Sequence, residues 1–195
     1  MQIRKIIENS IREKEMLLAD DALLSRIEMA AAWMVAGLQQ GGKICFCGNG
    51  GSAADAQHLA AELSGRFYFD RPPLDAEALH CNTSYLTAVS NDYGYEQVYA
   101  RAIRACARPG NILIALSASG NSPNILNACV VAQELHIPVI ALTGKNGGQM
   151  KLHADILLDV PSNDTPRIQE MHIFIGHILC QWIEEKLFER QKTTP

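Results

Sequence analysis

The sequence predicts an α/β fold in which a parallel sheet is flanked by helices on both faces. Short apolar runs of strand length alternate along the chain with segments whose apolar residues recur at helical spacing. Strands that alternate with helices form parallel sheets covered on both sides, which explains why the runs are apolar throughout. The predicted strands are 43–47, 76–80, 112–116, 138–142 and 156–160.

Two predicted helices precede the first strand. The second is an apolar-rich stretch, 23–38, that ends at the glycine pair 41–42, and the first carries apolar residues at helical spacing, namely Ile3, Ile6, Ile7 and Ile11. The chain has 195 residues, enough for one well-filled core and too few for two domains of ordinary size. We therefore expect one domain over 1–195, with 1–40 as an N-terminal helical extension.

A long helix is predicted near the end of the chain, over 166–190. Pro166 suits the first turn of a helix, and the residues after it form an apolar stripe made of Ile168, Met171, Ile175, Ile178, Leu179 and Trp182. Residues 192–195 are predicted to be a frayed tail.

Composition and charge exclude several classes of function. The 17 basic and 21 acidic residues are scattered along the chain and give a net charge of −4, so we expect no direct nucleic-acid ligand. No apolar run approaches the ~20 residues that span a bilayer, and charges interrupt the N-terminal segment too early for a signal peptide. We expect a cytoplasmic protein without a membrane partner.

Six cysteines are interpreted as reduced thiols, mostly buried, because they lie in apolar segments and include no C-x-x-C pair. Cys45 and Cys47 are two apart in a predicted strand and so point to the same face. A metal pair at these positions would need partner ligands at matching spacing, and the sequence has none, which favours core packing.

A glycine-rich loop follows the first predicted strand and leads directly into a helix. The loop reads Gly48-Asn49-Gly50-Gly51-Ser52, so free backbone N–H groups and the positive end of a helix dipole face it. It lacks the lysine of a P-loop and the G-x-G-x-x-G order of a dinucleotide site. The pattern favours a small phosphoester as ligand, although glycines also serve tight turns that bind nothing.

A second loop repeats this arrangement after the third strand. Ser117, Ser119 and Ser122 supply hydroxyl groups just before a helix that begins at Pro123. Helix capping is the competing interpretation, above all for Ser122, and Ser52 of the first loop is likewise expected to be an N-cap. The two loops together favour phosphate binding.

His58 and Glu62 lie four residues apart on the helix that follows the first loop, so their side chains can reach a common point. The pair could be metal ligands, an acid/base pair, or ordinary exposed residues. The pair lies beyond the phosphate loop on a helix that also carries Arg66. This position favours a functional role over that of ordinary exposed residues.

The C-terminal helix sets polar residues into an otherwise apolar stretch. Gln169, Glu170, His172 and His177 need partners if they are buried. We interpret His172 as a structural histidine whose hydrogen bonds are satisfied, together with His80, His136 and His153.

Five separated segments carry a resemblance to a known family: CGNGGSAADAQHLAAEL, SNDYG, LSASGNS, ALTGKNGG and RIQEMHIFIGH. They follow one another as in the phosphoheptose isomerases of the sugar isomerase (SIS) domain families, and the resemblance covers nearly the whole chain. It implies an SIS-type sheet and an aldose–ketose isomerase that converts sedoheptulose 7-phosphate to a manno-heptose 7-phosphate. That product is a precursor of the lipopolysaccharide core or of other surface sugars. The resemblance also implies a homotetramer with active sites at subunit interfaces.

The resemblance also implies roles for individual residues. Glu62 and His177 would be the catalytic acid/base pair, and a zinc ion would be bound by His58, Glu62, Gln169 and His177. Substrate contacts would come from Asn49, Gly50, Gly51, Ser52, Glu62, Asn91, Asp92, Ser117, Ala118, Ser119, Ser122 and Gln169. The chain departs from the family at Ala118, where threonine is frequent, and at Pro166, where alanine or aspartate is common.

Three alternatives stay open at this point. An adaptor of the same fold, of the type that associates with a replication initiator, would bind a protein instead of catalysing. A sugar-phosphate-responsive regulatory protein would bind the same ligand, and an isomerase could act on another sugar phosphate.

Two of the implied metal ligands, Gln169 and His177, are eight residues apart, about 12 Å along a helix. Either both side chains reach at full stretch toward a metal midway between them, or more than one copy of the chain supplies the metal ligands. We favour a site at or near a subunit interface.

Overall fold

A five-stranded parallel sheet organises the computed structural model, which describes residues 1–188 of the chain. The strands lie in the order β2-β1-β3-β4-β5. Each observed strand falls within two residues of its predicted bounds, so the predicted sheet is confirmed: β1 Ile44–Gly48, β2 Ala76–Ala78, β3 Ile112–Ser117, β4 Val139–Thr143 and β5 Ile156–Asp159.

Helices cover both faces of this sheet, as predicted: α1 Gln2–Leu18, α2 Asp21–Gln39, α3 Gly51–Ser64, α4 Thr83–Tyr93, α5 Val98–Cys106, α6 Pro123–Glu134 and α7 Thr165–Leu187. Two further single turns of 3-10 helix lie at Tyr95–Gln97 and Met150–Leu152. The predicted helix 166–190 is α7, and both its last two residues and the predicted tail 192–195 lie outside the described residues. Among residues 1–188, none of the helices is long and apolar enough to cross a bilayer.

Two hydrophobic cores form, one on each face of the sheet. The first joins α2, α3 and α7 to side chains such as Phe46 and Ile114, and the second joins α5 and α6 to side chains such as Leu113. Alternate residues of β1 and β3 therefore point into different cores, while both strands are buried along their whole length. This double burial explains why the strands read as continuous apolar runs.

Most of the cysteines are buried thiols, as predicted, and all six are free. Cys45 and Cys47 both point into the second core, which supports the packing interpretation of this pair. Cys106 is half-buried, and Cys81, between β2 and α4, is exposed.

His172 is fully buried on α7, but the prediction that its hydrogen bonds are satisfied is wrong. Neither ring nitrogen has a hydrogen-bond partner among the described residues. The prediction is also wrong for His80, whose Nδ1 is buried without a partner, whereas Nδ1 of His153 pairs with Oε1 of Gln133 at 2.9 Å. Burial lowers the pKa of His172 to about 4, and the nearby backbone of Thr143 offsets only part of this effect. The folded protein therefore holds a neutral imidazole inside its core.

This buried imidazole predicts a pH dependence of stability. Between pH 6.5 and about pH 4 His172 binds a proton in the unfolded chain but stays largely neutral in the folded chain. Acidification through this range therefore favours unfolding. The lost stability is up to about 3 kcal/mol at pH 4. The free energy of unfolding, measured by urea denaturation across this range, should fall less steeply with decreasing pH for His172→Leu than for the wild type. An unchanged slope would contradict the prediction, and His136→Asn, which removes an exposed histidine, is the matched control.

Candidate active site

The candidate site lies at the carboxyl ends of β1 and β3, which are neighbours in the sheet. Gly48 at the end of β1 pairs in register with Leu116 near the end of β3. From β1 the chain turns to β2 on one side of the sheet, and β3 lies on the other side, so the strand order reverses here. Open parallel sheets bind ligands at such a reversal because the two loops diverge and leave a crevice.

The first loop takes the geometry that its glycines predict. Gly50 has a positive φ of 56°, a conformation that favours glycine, and it is the N-cap of α3. Gly51 packs against the end of the Gln169 side chain, and an added Cβ would lie 2.5 Å from Nε2 of Gln169 and force that side chain to move. The prediction that Ser52 is the N-cap is wrong: it is the second residue of α3 and is 3% exposed.

The second loop gathers its hydroxyl groups at the start of α6. Oγ of Ser117 lies 3.2 Å from Oγ of Ser122, and Oγ of Ser119 accepts a hydrogen bond from the backbone N–H of Asn121 at 3.1 Å. Ser122 stands at the N-cap position of α6, but its side chain makes no capping hydrogen bond. Capping therefore does not explain Ser122, and the serine hydroxyl groups lie together at the helix N-terminus, where an anionic ligand could accept hydrogen bonds from them.

The two loops and α7 enclose a cavity of about 250 Å³. It is lined by Asn49, Ser52, Leu116, Ser117, Ala118, Ser119, Ser122, Thr165 and Gln169. Seven of these nine residues are among the predicted substrate contacts. Leu116 and Thr165 are the two that sequence reasoning missed, and the position of Thr165 in the first turn of α7 was the available signal.

Asn124 is a further residue that sequence reasoning missed. It is buried in the first turn of α6, and its amide exchanges two hydrogen bonds of 2.8 Å with the amide of Asn49. The hydroxyl of Tyr95 also donates to Oδ1 of Asn49 at 3.1 Å. These bonds fix the orientation of the Asn49 side chain at the cavity edge.

A second group of polar side chains forms where α3 meets α7. Nε2 of His58 lies 3.1 Å from Oε1 of Glu62 and 3.1 Å from Nε2 of His177. The three candidate ligand atoms all lie within 4.8 Å of one another. Two imidazole nitrogens and a carboxylate oxygen at this separation form a donor set that a divalent metal such as zinc could use.

The helices approach closely beside this cluster. Gly176 of α7 packs against Leu59 of α3, and an added Cβ at Gly176 would lie 2.4 Å from Cδ1 of Leu59. These two residues directly adjoin His177 and His58 in the sequence. Close helix packing at one point therefore brings the two histidines together.

Asp55 lies one turn before His58 on α3 and was also missed. One of its carboxylate oxygens is buried without a hydrogen-bond partner among the described residues. Burial raises the pKa of this carboxyl to about 6, and His58 opposes the rise. A raised pKa beside a candidate site is typical of functional regions.

The structure brings some of the predicted site residues together and leaves others apart. The expectation that several copies of the chain supply the metal ligands is wrong for His58, Glu62 and His177, because one chain brings all three together. Within one chain Gln169 lies two turns earlier on α7 and lines the cavity, so the expectation that a second copy supplies a ligand stays a prediction for this residue. Asn91 and Asp92 are exposed on α4, where Nδ2 of Asn91 donates to Oδ1 of Asp92 at 2.9 Å, and neither lines the cavity.

Comparisons with known proteins give the class of the chain. A family model described as the SIS domain matches residues 11–144, more than half of the chain. A phosphoheptose isomerase of Mycobacterium bovis is 50% identical over 184 residues, which cover 94% of this chain and 94% of that protein. The SIS match ends before α7, whereas the alignment with this relative extends over nearly the whole chain.

Solved structures agree with the sequence comparison. A phosphoheptose isomerase from Francisella tularensis superposes with a TM-score of 0.90 and 41% identity, covering 94% of this chain and 97% of that one. One from Neisseria gonorrhoeae gives a TM-score of 0.88 and 42% identity with the same coverage. The chain belongs to the SIS domain family and, within it, to the phosphoheptose isomerases.

The serine loop generates a prediction about anion binding. Ser119→Ala removes a hydroxyl at the N-terminus of α6, and we expect the affinity for inorganic phosphate to fall about tenfold, as for one hydrogen bond to a charged group. Titration calorimetry measures the change. Ser90→Ala is the control, because the Ser90 hydroxyl bonds the Leu86 carbonyl within α4 and leaves the cavity untouched. Equal affinity of the Ser119 variant and the wild type would contradict the expectation.

Proposed function

We propose that this chain is an aldose–ketose isomerase that converts sedoheptulose 7-phosphate to D-glycero-D-manno-heptose 7-phosphate. This reaction would be the first step toward the nucleotide-activated heptose used in lipopolysaccharide core or surface polysaccharide. The proposal rests on relatives named phosphoheptose isomerase that align over nearly the whole chain. It also rests on the arrangement of the cavity and the His58–Glu62–His177 cluster along α3.

The spacing of the two parts along α3 is the observation that carries the proposal. Ser52 lines the cavity, and His58 and Glu62 follow it by six and ten residues. At 1.5 Å per residue these intervals correspond to about 9 Å and 15 Å along the helix axis. A sugar phosphate whose phosphate occupies the cavity would therefore extend along α3 and present its far end, the carbonyl end, to the cluster.

The cavity suits the phosphate end of such a substrate. The N-termini of α3 and α6 both open toward it, and their free N–H groups and dipoles favour an anion. Ser117, Ser119 and Ser122 add hydroxyl donors, and Ala118 offers its backbone N–H but no side-chain donor. Binding energy at this end would orient the reacting carbons without taking part in their chemistry. We also propose Gly50, Gly51, Asn91 and Asp92 as substrate contacts.

Glu62 and His177 are the proposed acid/base pair. Conversion of the ketose to the aldose removes a proton from C1 and delivers one to C2, while a proton moves from the O1 hydroxyl to O2. The Glu62 carboxylate would accept the C1 proton and return it to C2, and the His177 imidazole would carry the proton between the oxygens. The 26% exposure of the Glu62 side chain leaves its carboxylate accessible to a ligand.

We propose that zinc binds at this cluster through His58, Glu62 and His177, with Gln169 as a fourth ligand. The first three fit the ion because their nitrogen and oxygen donors lie within 4.8 Å of one another on two rigid helices. When bound, the ion would stabilise negative charge on the sugar oxygens. Zinc ligation and base catalysis would share Glu62.

A homotetramer with active sites near subunit interfaces completes the proposal. The apolar stripe of α1 stays largely exposed in the single chain, with exposed fractions of 64%, 48%, 55% and 52% for Ile3, Ile6, Ile7 and Ile11. A second copy of the chain would bury this stripe. Light scattering of the purified protein tests the proposed mass of four chains.

The carboxylate role of Glu62 gives a direct test. Glu62→Gln keeps the shape of the side chain but removes its basicity, so turnover of sedoheptulose 7-phosphate by zinc-loaded protein should fall at least ~100-fold. Formation of the aldose product is the measurement. Glu185→Gln, an exposed acid on α7 that bonds Gln181, is the matched control and should keep full turnover.

Three outcomes would contradict parts of the proposal. Near-normal turnover by Glu62→Gln would assign the proton transfer to another group. A wild-type protein that leaves sedoheptulose 7-phosphate unchanged but isomerises another sugar phosphate would overturn the substrate assignment. A complete lack of isomerisation across a panel of sugar phosphates would favour an adaptor or regulatory role.

A further inference from the structure

A buried ion pair joins α7 to the loop that follows α3. Nε of Arg71 donates to Oε1 of Glu184 at 3.0 Å, and each side chain is only 1% exposed. Removing two charges from water is costly, so a buried pair is weak evidence for stability on its own. Its hydrogen bonds, however, fix two segments of the chain beside the His58–Glu62–His177 cluster.

The Arg71 guanidinium caps the C-terminal end of α3. It donates to the carbonyl oxygens of Glu62 at 2.8 Å and Leu63 at 2.7 Å, which are among the last carbonyls of the helix. It also donates to the carbonyls of Gly65 and Pro72. Arg71 thereby holds the backbone of Glu62 itself.

The Glu184 carboxylate fixes the segment of chain that follows α3. It accepts the backbone N–H of Phe67 at 3.1 Å and that of Tyr68 at 2.8 Å. The Phe67 ring in turn packs against the His177 ring, with centroids 5.6 Å apart. Glu184 lies seven residues after His177, two turns along the same side of α7.

We propose that Arg71 and Glu184 are positioning residues that set the separation of α3 and α7 and thereby the geometry of the His58–Glu62–His177 cluster. Arg71 fixes the backbone of Glu62, and Glu184 fixes the backbone of Phe67, whose ring contacts His177. The fixed directions of a guanidinium and a carboxylate define this geometry more tightly than apolar contacts would. The inference rests on the proposed zinc and acid/base function of the cluster.

The test compares Glu184→Gln, Arg71→Met and the apolar double variant Arg71→Met/Glu184→Leu. Glutamine offers one acceptor oxygen where three donors converge, and methionine offers no donor. We expect the zinc dissociation constant, measured by competition with a chromophoric chelator, to rise at least tenfold in all three. The turnover number should fall more than the Michaelis constant rises, since the phosphate cavity is unchanged.

Two comparisons separate positioning from general stability. The double variant removes both buried charges and should unfold at a higher temperature than either single variant, yet bind zinc as weakly as they do. Ile103→Ala opens a cavity in the second core, on the opposite face of the sheet, and should lower the melting temperature without changing zinc affinity.

A metal-free measurement keeps the inference testable if the zinc proposal fails. The NMR shifts of the His177 ring protons report the nearby Phe67 ring, and they should move in Glu184→Gln but not in Ile103→Ala. Zinc affinity within twofold of the wild type, or unmoved His177 shifts in Glu184→Gln, would overturn the positioning role. A wild-type protein that binds no zinc would reject the proposed metal function, and the shifts would then decide the inference alone.

Discussion

The close contact between Leu59 of α3 and Gly176 of α7 is the constraint on which the candidate site depends. An added Cβ at Gly176 would lie 2.4 Å from Cδ1 of Leu59, so a larger residue there would displace the buried Leu59 side chain. His58 and His177 adjoin the contact, so their ring nitrogens meet although 118 residues lie between them in the sequence. The rest of α7 is held in place by apolar packing against α2 and α3 in the first core.

The sheet supplies a second constraint that acts on the same helix. Parallel pairing of β1 with β3 places the N-termini of α3 and α6 side by side, and α3 runs from there to its contact with α7. One rigid helix thus connects the proposed anion-binding end of the site to its proposed acid/base end. The length of α3 between them sets the size of the ligand that can reach both.

The sequence was sufficient for the fold because local signals agreed with one another. Doubly buried parallel strands read as apolar runs, and the glycine-rich and serine-rich turns marked the carboxyl ends of β1 and β3. The pairing of His58 with Glu62 followed from helical spacing alone. Each of these features depends on residues close together in the chain.

Other features could not be derived, because they depend on packing between distant segments. Helical spacing correctly separated Gln169 from His177, but it could not place His58 beside His177, and so it suggested ligands from several copies. Ser52 was expected to be an N-cap, because the sequence does not reveal that α3 starts two residues earlier, with Gly50 as its N-cap. The unpartnered His172 and the Asn49–Asn124 pair likewise arise only from tertiary contacts.

The central claim is that a single chain assembles the acid/base cluster, and mixed assemblies test it most directly. Glu62→Gln and His177→Ala chains, carrying different affinity tags, can be dissociated, reassembled together and purified through both tags. Our account predicts that these verified mixed assemblies isomerise sedoheptulose 7-phosphate no faster than the sum of the two variants alone, since every site keeps one defect. Recovery of a substantial fraction of wild-type turnover would contradict it, because intact sites could then form only from two chains.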